Sequence, residues 1–178
     1  MNAGRNLVNL ALIGFMGTGK SSVGRLVADQ LRFEFVDTDH LIETRAGKSI
    51  NDIFSQNGEP AFRELESNLV QELASLRQTV ISTGGGLPTN PTNLERLKQH
   101  ALVVCLWSSP EKIFERVRDQ PHRPLLKTPD PLGKIRSLLT ARAPFYRQAD
   151  ILLNSEFRSI REVAQQVIIQ FRLATGQR

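Results

Sequence analysis

Short apolar runs alternate with stretches in which apolar residues recur every three or four positions. Residues 7–13, 33–37, 79–83, 101–107 and 150–154 are the runs, each of strand length. Those at 7–13 and 101–107 are mostly apolar throughout, as strands covered on both faces must be. Between them the period changes. Val23, Leu26, Val27 and Leu31 fall on one helical face, and Ser49 with Asp52 is a capping pair ahead of Ile50, Ile53 and Phe54. Asn57-Gly58 stops that helix and Pro60 opens the next, with Phe62, Leu65, Leu69, Leu73 and Leu76 as its stripe. Leu94 and Leu97 mark a short helix. Ser109-Pro110-Glu111 starts another, carrying Ile113, Phe114 and Val117. Asp130-Pro131 opens a helix with an expected bend at Pro144, and Ser159 with Glu162 boxes the last one. Residues 119–130, punctuated by Pro121 and Pro124, break the period and read as a mobile loop.

Strands alternating with helices predict an α/β fold whose parallel sheet is covered on both faces. At 178 residues, without repeats or linkers, the chain is expected to be one domain spanning 1–178. No apolar run approaches the roughly 18 residues of a membrane span. One cysteine excludes an internal disulfide framework and a cysteine-rich metal site. The segment before the first strand is too short for a plastid transit peptide, so a cytoplasmic protein is expected.

Charge narrows the class of ligand. Residues 1–89 carry 8 Lys/Arg against 10 Asp/Glu, whereas residues 90–178 carry 15 against 8. The basic half has scattered arginines without a dense run or interleaved aromatics, which argues for a small anionic substrate rather than nucleic acid.

Gly14-Phe15-Met16-Gly17-Thr18-Gly19-Lys20-Ser21 matches the phosphate-binding P-loop in full. It falls where a strand ends and a helix begins. Glycines let successive backbone N–H groups turn into one concavity, and the helix start adds positive potential. Lys20 reaches β- and γ-phosphate oxygens, and the Ser21 hydroxyl is a ligand for Mg²⁺. A nucleoside triphosphate is therefore expected. The chain lacks the guanine-reading Asn-Lys-x-Asp of GTPases and is too short for motor or transporter machinery, which leaves a small kinase.

Two further clusters sit at predicted strand ends, where ligands gather in open parallel sheets. In Asp37-Thr38-Asp39, one carboxylate could hold Mg²⁺ through water while the other meets an acceptor hydroxyl; alternatively Asp39 merely caps a helix. Gly84-Gly85-Gly86 carries a large ordering cost and points to a place where backbone must approach substrate closely; alternatively it is only a flexible turn. Arg63 adjoins an apolar helical stripe and could equally be an exposed helix residue.

The P-loop, Asp-Thr-Asp, Phe62-Arg63-x-x-Glu66, Gly-Gly-Gly, Arg123-Pro124-Leu125-Leu126 and Arg142-Ala143-Pro144-Phe145-Tyr146 follow one another in an order and spacing that resembles the shikimate kinase family over residues 6–170. The resemblance implies a P-loop NTPase-type three-layer α/β/α fold with a five-stranded parallel sheet, a mobile lid at about 119–130 and a helical substrate-binding region at about 39–66. It implies transfer of the γ-phosphoryl group of ATP to the 3-hydroxyl of shikimate, with Mg²⁺, by a monomer. Gly17, Thr18, Gly19, Lys20, Ser21 and Ser22 would hold the ATP phosphates. Ser21 would ligate Mg²⁺ directly and Asp37 through water. Asp39 would orient or deprotonate the attacking hydroxyl. Arg63 and Arg142 would clamp the shikimate carboxylate, Glu66 would orient Arg63, and Gly84, Gly85 and Gly86 would complete the pocket. Arg123 would meet the transferring phosphate. Arg118 or Arg116 would lie near the adenine, with Ser155 and Arg158 as further candidates.

The competing readings are a gluconate kinase, which needs neither the triple glycine nor both arginines, a nucleoside monophosphate kinase, and an inactive nucleotide-binding relative. The last would have lost a catalytic residue, and none of Lys20, Ser21, Asp37, Asp39, Arg63, Arg123 and Arg142 is missing.

Overall fold

The computed structural model describes residues 5–119 and 128–176. Five strands form one sheet: β1 (Asn9–Ile13), β2 (Glu34–Asp37), β3 (Thr79–Ser82), β4 (Ala101–Trp107) and β5 (Ile151–Asn154). All pairings are parallel and the order is β2-β3-β1-β4-β5. Among the described residues seven α-helices accompany them: α1 (Lys20–Leu31), α2 (Thr38–Ala46), α3 (Ile50–Leu73), α4 (Pro91–His100), α5 (Pro110–Val117), α6 (Pro131–Tyr146) and α7 (Ile160–Thr175).

The strand period divides the core in two. Leu10 and Leu12 of β1 pack with Val23 and Val27 of α1 and with Val163, Val167 and Phe171 of α7. Ala11 and Ile13 face the other way, into Leu69 and Leu73 of α3, Leu94 and Leu97 of α4 and Ile113 of α5. Successive side chains on a strand point to opposite faces, so one five-residue strand with no exposed position requires helices on both sides. The expected three layers follow directly. No helix among the described residues is long and apolar enough to cross a membrane.

Helix starts fall where the polar pattern places them. Ser49, Asn90, Ser109, Asp130 and Ser159 each accept a backbone N–H in the first turn, and Ser159 with Glu162 forms the full reciprocal box. Gly58 interrupts α3 with φ 81° and ψ 167°, so the stop at Asn57-Gly58 and the restart at Pro60 are both present within one long element.

Four local expectations are corrected. The first strand begins at Asn9 rather than Leu7. Leu65 is 39% exposed, and the buried stripe of α3 runs instead through Phe62, Glu66, Leu69, Val70 and Leu73. Pro144 lies in the last turn of α6, where only one helical hydrogen bond is lost, and the helix continues to Tyr146. The helix after β2 is capped by Asp37, whose carboxylate accepts the His40 N–H at 3.4 Å, while Asp39 lies inside its first turn. Most of the loop expected at 119–130, including Arg123, lies outside the described residues.

Register builds the site. Leu12 of β1 pairs with Ser82 of β3, and Ser82 pairs with Asp37 of β2. The P-loop, Asp37 and the triple glycine therefore leave three adjacent strands at one level, on the carboxyl edge of the sheet.

Candidate active site

The P-loop turns on Gly14, Gly17 and Gly19, with φ of 133°, 74° and 95°, angles that side-chain-bearing residues rarely adopt. A Cβ at Gly17 would also meet Val117 Cγ1 at 2.6 Å. The turn delivers Lys20 to the first position of α1, 9% exposed, with Nζ donating to the Phe15 carbonyl at 2.8 Å. Thr18 Oγ1 donates to the same carbonyl at 2.8 Å. Arg116, from the last turn of α5, braces the loop from behind, donating to the carbonyls of Gly17 at 3.3 Å and Ser155 at 2.7 Å.

A cavity of about 340 Å³ opens beside this turn, lined by Gly17, Gly19, Lys20, Ser21 and Ser22 on one side. Asp37, Asp39 and Gly85 line it as well, and so does Arg116. The two arginines named as adenine candidates differ in their placement. Arg118 is exposed, lies within 3.4 Å of the neighbouring Asp119, and is not among the residues lining the cavity. Arg118 is the cap residue just past α5, two positions on from Arg116, so the two side chains leave the helix in different directions.

Ser21 Oγ donates to Asp37 Oδ2 at 2.7 Å and lies 3.3 Å from Ser82 Oγ. This is a set of hard oxygen donors with one carboxylate. It fits Mg²⁺, which takes one or two protein oxygens and completes its shell with substrate phosphates and water. No group of three or more His, Cys, Asp or Glu among the described residues could hold a metal without such help.

Opposite the P-loop stands the triple glycine, with Gly85 lining the cavity. Among Gly84, Gly85 and Gly86 none has positive φ, so conformational freedom is not what these positions use. Two of them supply room for side chains. A Cβ on Gly84 would collide with the Asp39 carboxylate, one on Gly86 would meet Arg63 Nη1 at 2.5 Å, and one on Gly85 would lie 3.5 Å from Arg142 Nη1. Gly84 and Gly86 thus leave room for Asp39 and Arg63, while a Cβ on Gly85 would make only an ordinary contact with Arg142; the three charged groups come from α2, α3 and α6.

Those groups are held in place. Arg63 donates to Glu66 Oε2 at 2.7 Å and, through Nε and Nη2, to Glu59 Oε1 at 3.1 and 2.7 Å. Glu66 is buried, and burial pushes its carboxyl above the ordinary carboxylate range; the Arg63 hydrogen bond and charge pull the other way, while the Asp39 charge adds to the rise. The guanidinium of Arg142 lies 5.5 Å from the Phe15 ring centroid, close enough for a cation–π contact. Two contributors carried no role in the sequence reading. Thr38, fully buried, accepts the Gly84 N–H at 2.9 Å. Tyr146, the single tyrosine of the chain, donates its hydroxyl to the Gly85 carbonyl at 2.6 Å. The available signals were weak: a threonine between two acids, and a tyrosine four residues after Arg142 on one helix.

The site can hold a polyphosphate at the P-loop and a small hydroxylated anion between Asp39 and the two arginines. A family model described as shikimate kinase matches residues 16–172. The shikimate kinase of Thermodesulfovibrio yellowstonii is 43% identical over 169 residues, covering 94% of this chain and 98% of the relative. The structure of shikimate kinase from Acinetobacter baumannii in complex with shikimate is 39% identical, with a TM-score of 0.89 over 99% of this chain and 98% of that one. A gluconokinase from Sinorhizobium meliloti is similar at a TM-score of 0.62 over 97% of this chain and 96% of its own, but at 17% identity it shares the fold alone. A match over most of the chain, together with a site that keeps both arginines and gives each glycine a charged neighbour, places this chain in the shikimate kinase family.

Proposed function

We propose that this chain transfers the γ-phosphoryl group of ATP to the 3-hydroxyl of shikimate, giving shikimate 3-phosphate and ADP on the route to the aromatic amino acids. One observation carries the choice of acceptor: Asp39, Arg63 and Arg142 converge on Gly84, Gly86 and Gly85, beside a complete P-loop. Shikimate is a small carboxylate bearing several hydroxyls. Planar guanidinium forks suit its carboxylate, and an acid suits its hydroxyls.

The chemistry asks little of covalent catalysis and much of alignment and charge neutralisation. Lys20 and the amides from Gly17 to Ser22 hold the β- and γ-phosphates. Ser21 directly, and Asp37 through water, would hold Mg²⁺, which would supply charge neutralisation to the phosphates. Arg63 and Arg142 fix the acceptor's carboxylate, so its ring presents a hydroxyl to Asp39. There Asp39 accepts that hydroxyl's hydrogen bond and aims its oxygen at the γ-phosphorus. Glu66 keeps Arg63 in place, and Arg116 backs the nucleotide side of the P-loop. Arg123, outside the described residues, is given the transferring phosphate on its Arg-Pro lid motif alone. The same reading makes residues 1–178 one kinase domain, with acceptor binding in about 39–66, acting as a cytoplasmic monomer.

The test is ADP release from MgATP with shikimate, gluconate, a panel of nucleoside monophosphates, or no acceptor. Turnover with shikimate alone is expected. Turnover with another acceptor would reassign the substrate, and none at all from protein that binds ATP would make the chain a binding module.

A further inference from the structure

A loop of three glycines has little intrinsic order, since each lacks the side chain that would restrict its backbone. Here the loop is held from two sides. Thr38 of α2 accepts the Gly84 N–H at 2.9 Å, and Tyr146 of α6 donates to the Gly85 carbonyl at 2.6 Å. The loop closes on itself at its far end, where Leu87 N–H reaches the Gly84 carbonyl at 3.2 Å and Thr89 reaches that of Gly86 through N–H at 3.0 Å and Oγ1 at 2.7 Å. These bonds use the Gly84 N–H and the carbonyls of Gly84, Gly85 and Gly86. Among the described residues the N–H groups of Gly85 and Gly86 take no part in these bonds, and Gly85 lines the cavity.

Placement adds the decisive point. Thr38 precedes Asp39 on α2, and Tyr146 follows Arg142 by one turn on α6. Each hydroxyl therefore ties the loop to the same helix that carries one of the charged groups facing it. The chemistry of each tie suits its task. Burial pushes the Tyr146 phenol up to about 12, so it stays protonated and donating across the working range of pH.

We propose that Thr38 and Tyr146 are positioning residues for the acceptor, their two hydroxyls setting the Gly84–Gly86 backbone at the distance from Asp39 and Arg142 that a small hydroxylated carboxylate requires. The inference deepens the reading above and rests on it for the identity of the acceptor. It differs from plain stabilisation in what it makes the hydroxyls control. A buried hydroxyl that merely satisfies a carbonyl would affect unfolding when removed, whereas a positioning hydroxyl changes acceptor binding without changing nucleotide binding.

The experiment uses Tyr146→Phe and Thr38→Val, which keep shape and delete one hydroxyl each, with Thr38→Ser as the conservative variant. Steady-state kinetics against shikimate and against MgATP are measured with amide hydrogen exchange over residues 84–87. Each deletion is expected to raise the shikimate KM about tenfold, equivalent to ~1.4 kcal/mol, with the MgATP KM unchanged. Exchange at 84–87 should quicken, and Thr38→Ser should restore both readouts. The double variant should lose less than the two single losses combined, because one loop is loosened twice. Unchanged shikimate KM with reduced thermal stability would overturn the proposal, as would equal rises in both KM values. If the wild-type protein does not use shikimate, the substrate reading fails and exchange decides the tethers alone. Faster exchange at 84–87 in both variants would keep them, and unchanged exchange would remove them.

Discussion

The two ends of the parallel sheet bury polar side chains for opposite purposes. At the amino end, fully buried Asn9 donates to the Leu76 carbonyl at 2.7 Å and to His100 Nδ1 at 3.0 Å, and accepts the Thr79 N–H at 3.1 Å. Asp150 takes both guanidinium nitrogens of Arg5, at 2.6 and 3.0 Å, together with the Val103 N–H at 2.9 Å. These polar groups bond to the chain and staple strand starts together. At the carboxyl end, Lys20, Asp37, Asp39, Arg63 and Arg142 surround or flank an open cavity. Buried polarity alone therefore does not mark a functional site. The mark is polar groups held by their surroundings and turned toward a space that a ligand can fill.

This contrast can be broken by substitution. Lys20→Ala should have the largest effect, lowering kcat about 10³-fold or more by removing charge stabilisation at the transferring phosphate. The melting temperature should hardly move; if the protein unfolds instead, the carboxyl end is structural as well. Arg142→Ala should weaken use of shikimate by about 2–3 kcal/mol, the lower part of the range for truncating one partner of a charge pair, because Arg142 is half-buried. Its effect should appear in the shikimate KM and leave that for MgATP unchanged.

At the amino end the signature should invert. Asn9→Leu leaves the Thr79 N–H and the Leu76 carbonyl without their partner, costing about 1–3 kcal/mol of stability on denaturant unfolding. Both KM values should stay as they were. A changed shikimate KM in this variant would show that the two ends are coupled.

The smallest effect concerns pH. The Asn9 amide is oriented by Thr79, so its Nδ2 faces His100, and Nδ1 of the ring must accept while the proton sits on Nε2. Burial, with the Arg77 charge, holds His100 below its ordinary value. A depressed histidine contributes stability that is present above its unfolded value near 6.5 and is lost as pH falls through that value toward the folded one. His100→Gln should therefore flatten the fall in melting temperature between about pH 7.5 and 5. A wild-type fall no steeper than the variant's would remove His100 from the acid response.

Some of this was legible before any coordinates. The P-loop is a contiguous stretch whose chemistry lies in its own backbone, so glycine spacing and Lys20-Ser21 suffice to read it. Arg63 and Glu66 share a helix three residues apart, which places them within reach of each other. The buried stripe of α3 was misread at Leu65 for a related reason: a periodic count prefers leucine to glutamate, whereas Glu66 is the residue buried there, paired with Arg63. The triple glycine is recognisable as unusual from the sequence, but its charged neighbours are not. Nothing local says that the missing Cβ atoms of Gly84 and Gly86 make room for Asp39 and Arg63.

By itself, then, the sequence determined the alternation of strands and helices, the helix starts, the nucleotide-binding turn and the family, because each depends on residues near one another or on their order along the chain. Only the tertiary structure decided that Arg116 and not Arg118 reaches the P-loop, that Thr38 and Tyr146 tie down the glycine loop, and that Asn9 meets His100 across the sheet. Each of those contacts joins elements far apart in the chain, and the parallel register that brings their ends together is set by packing on both faces of the sheet.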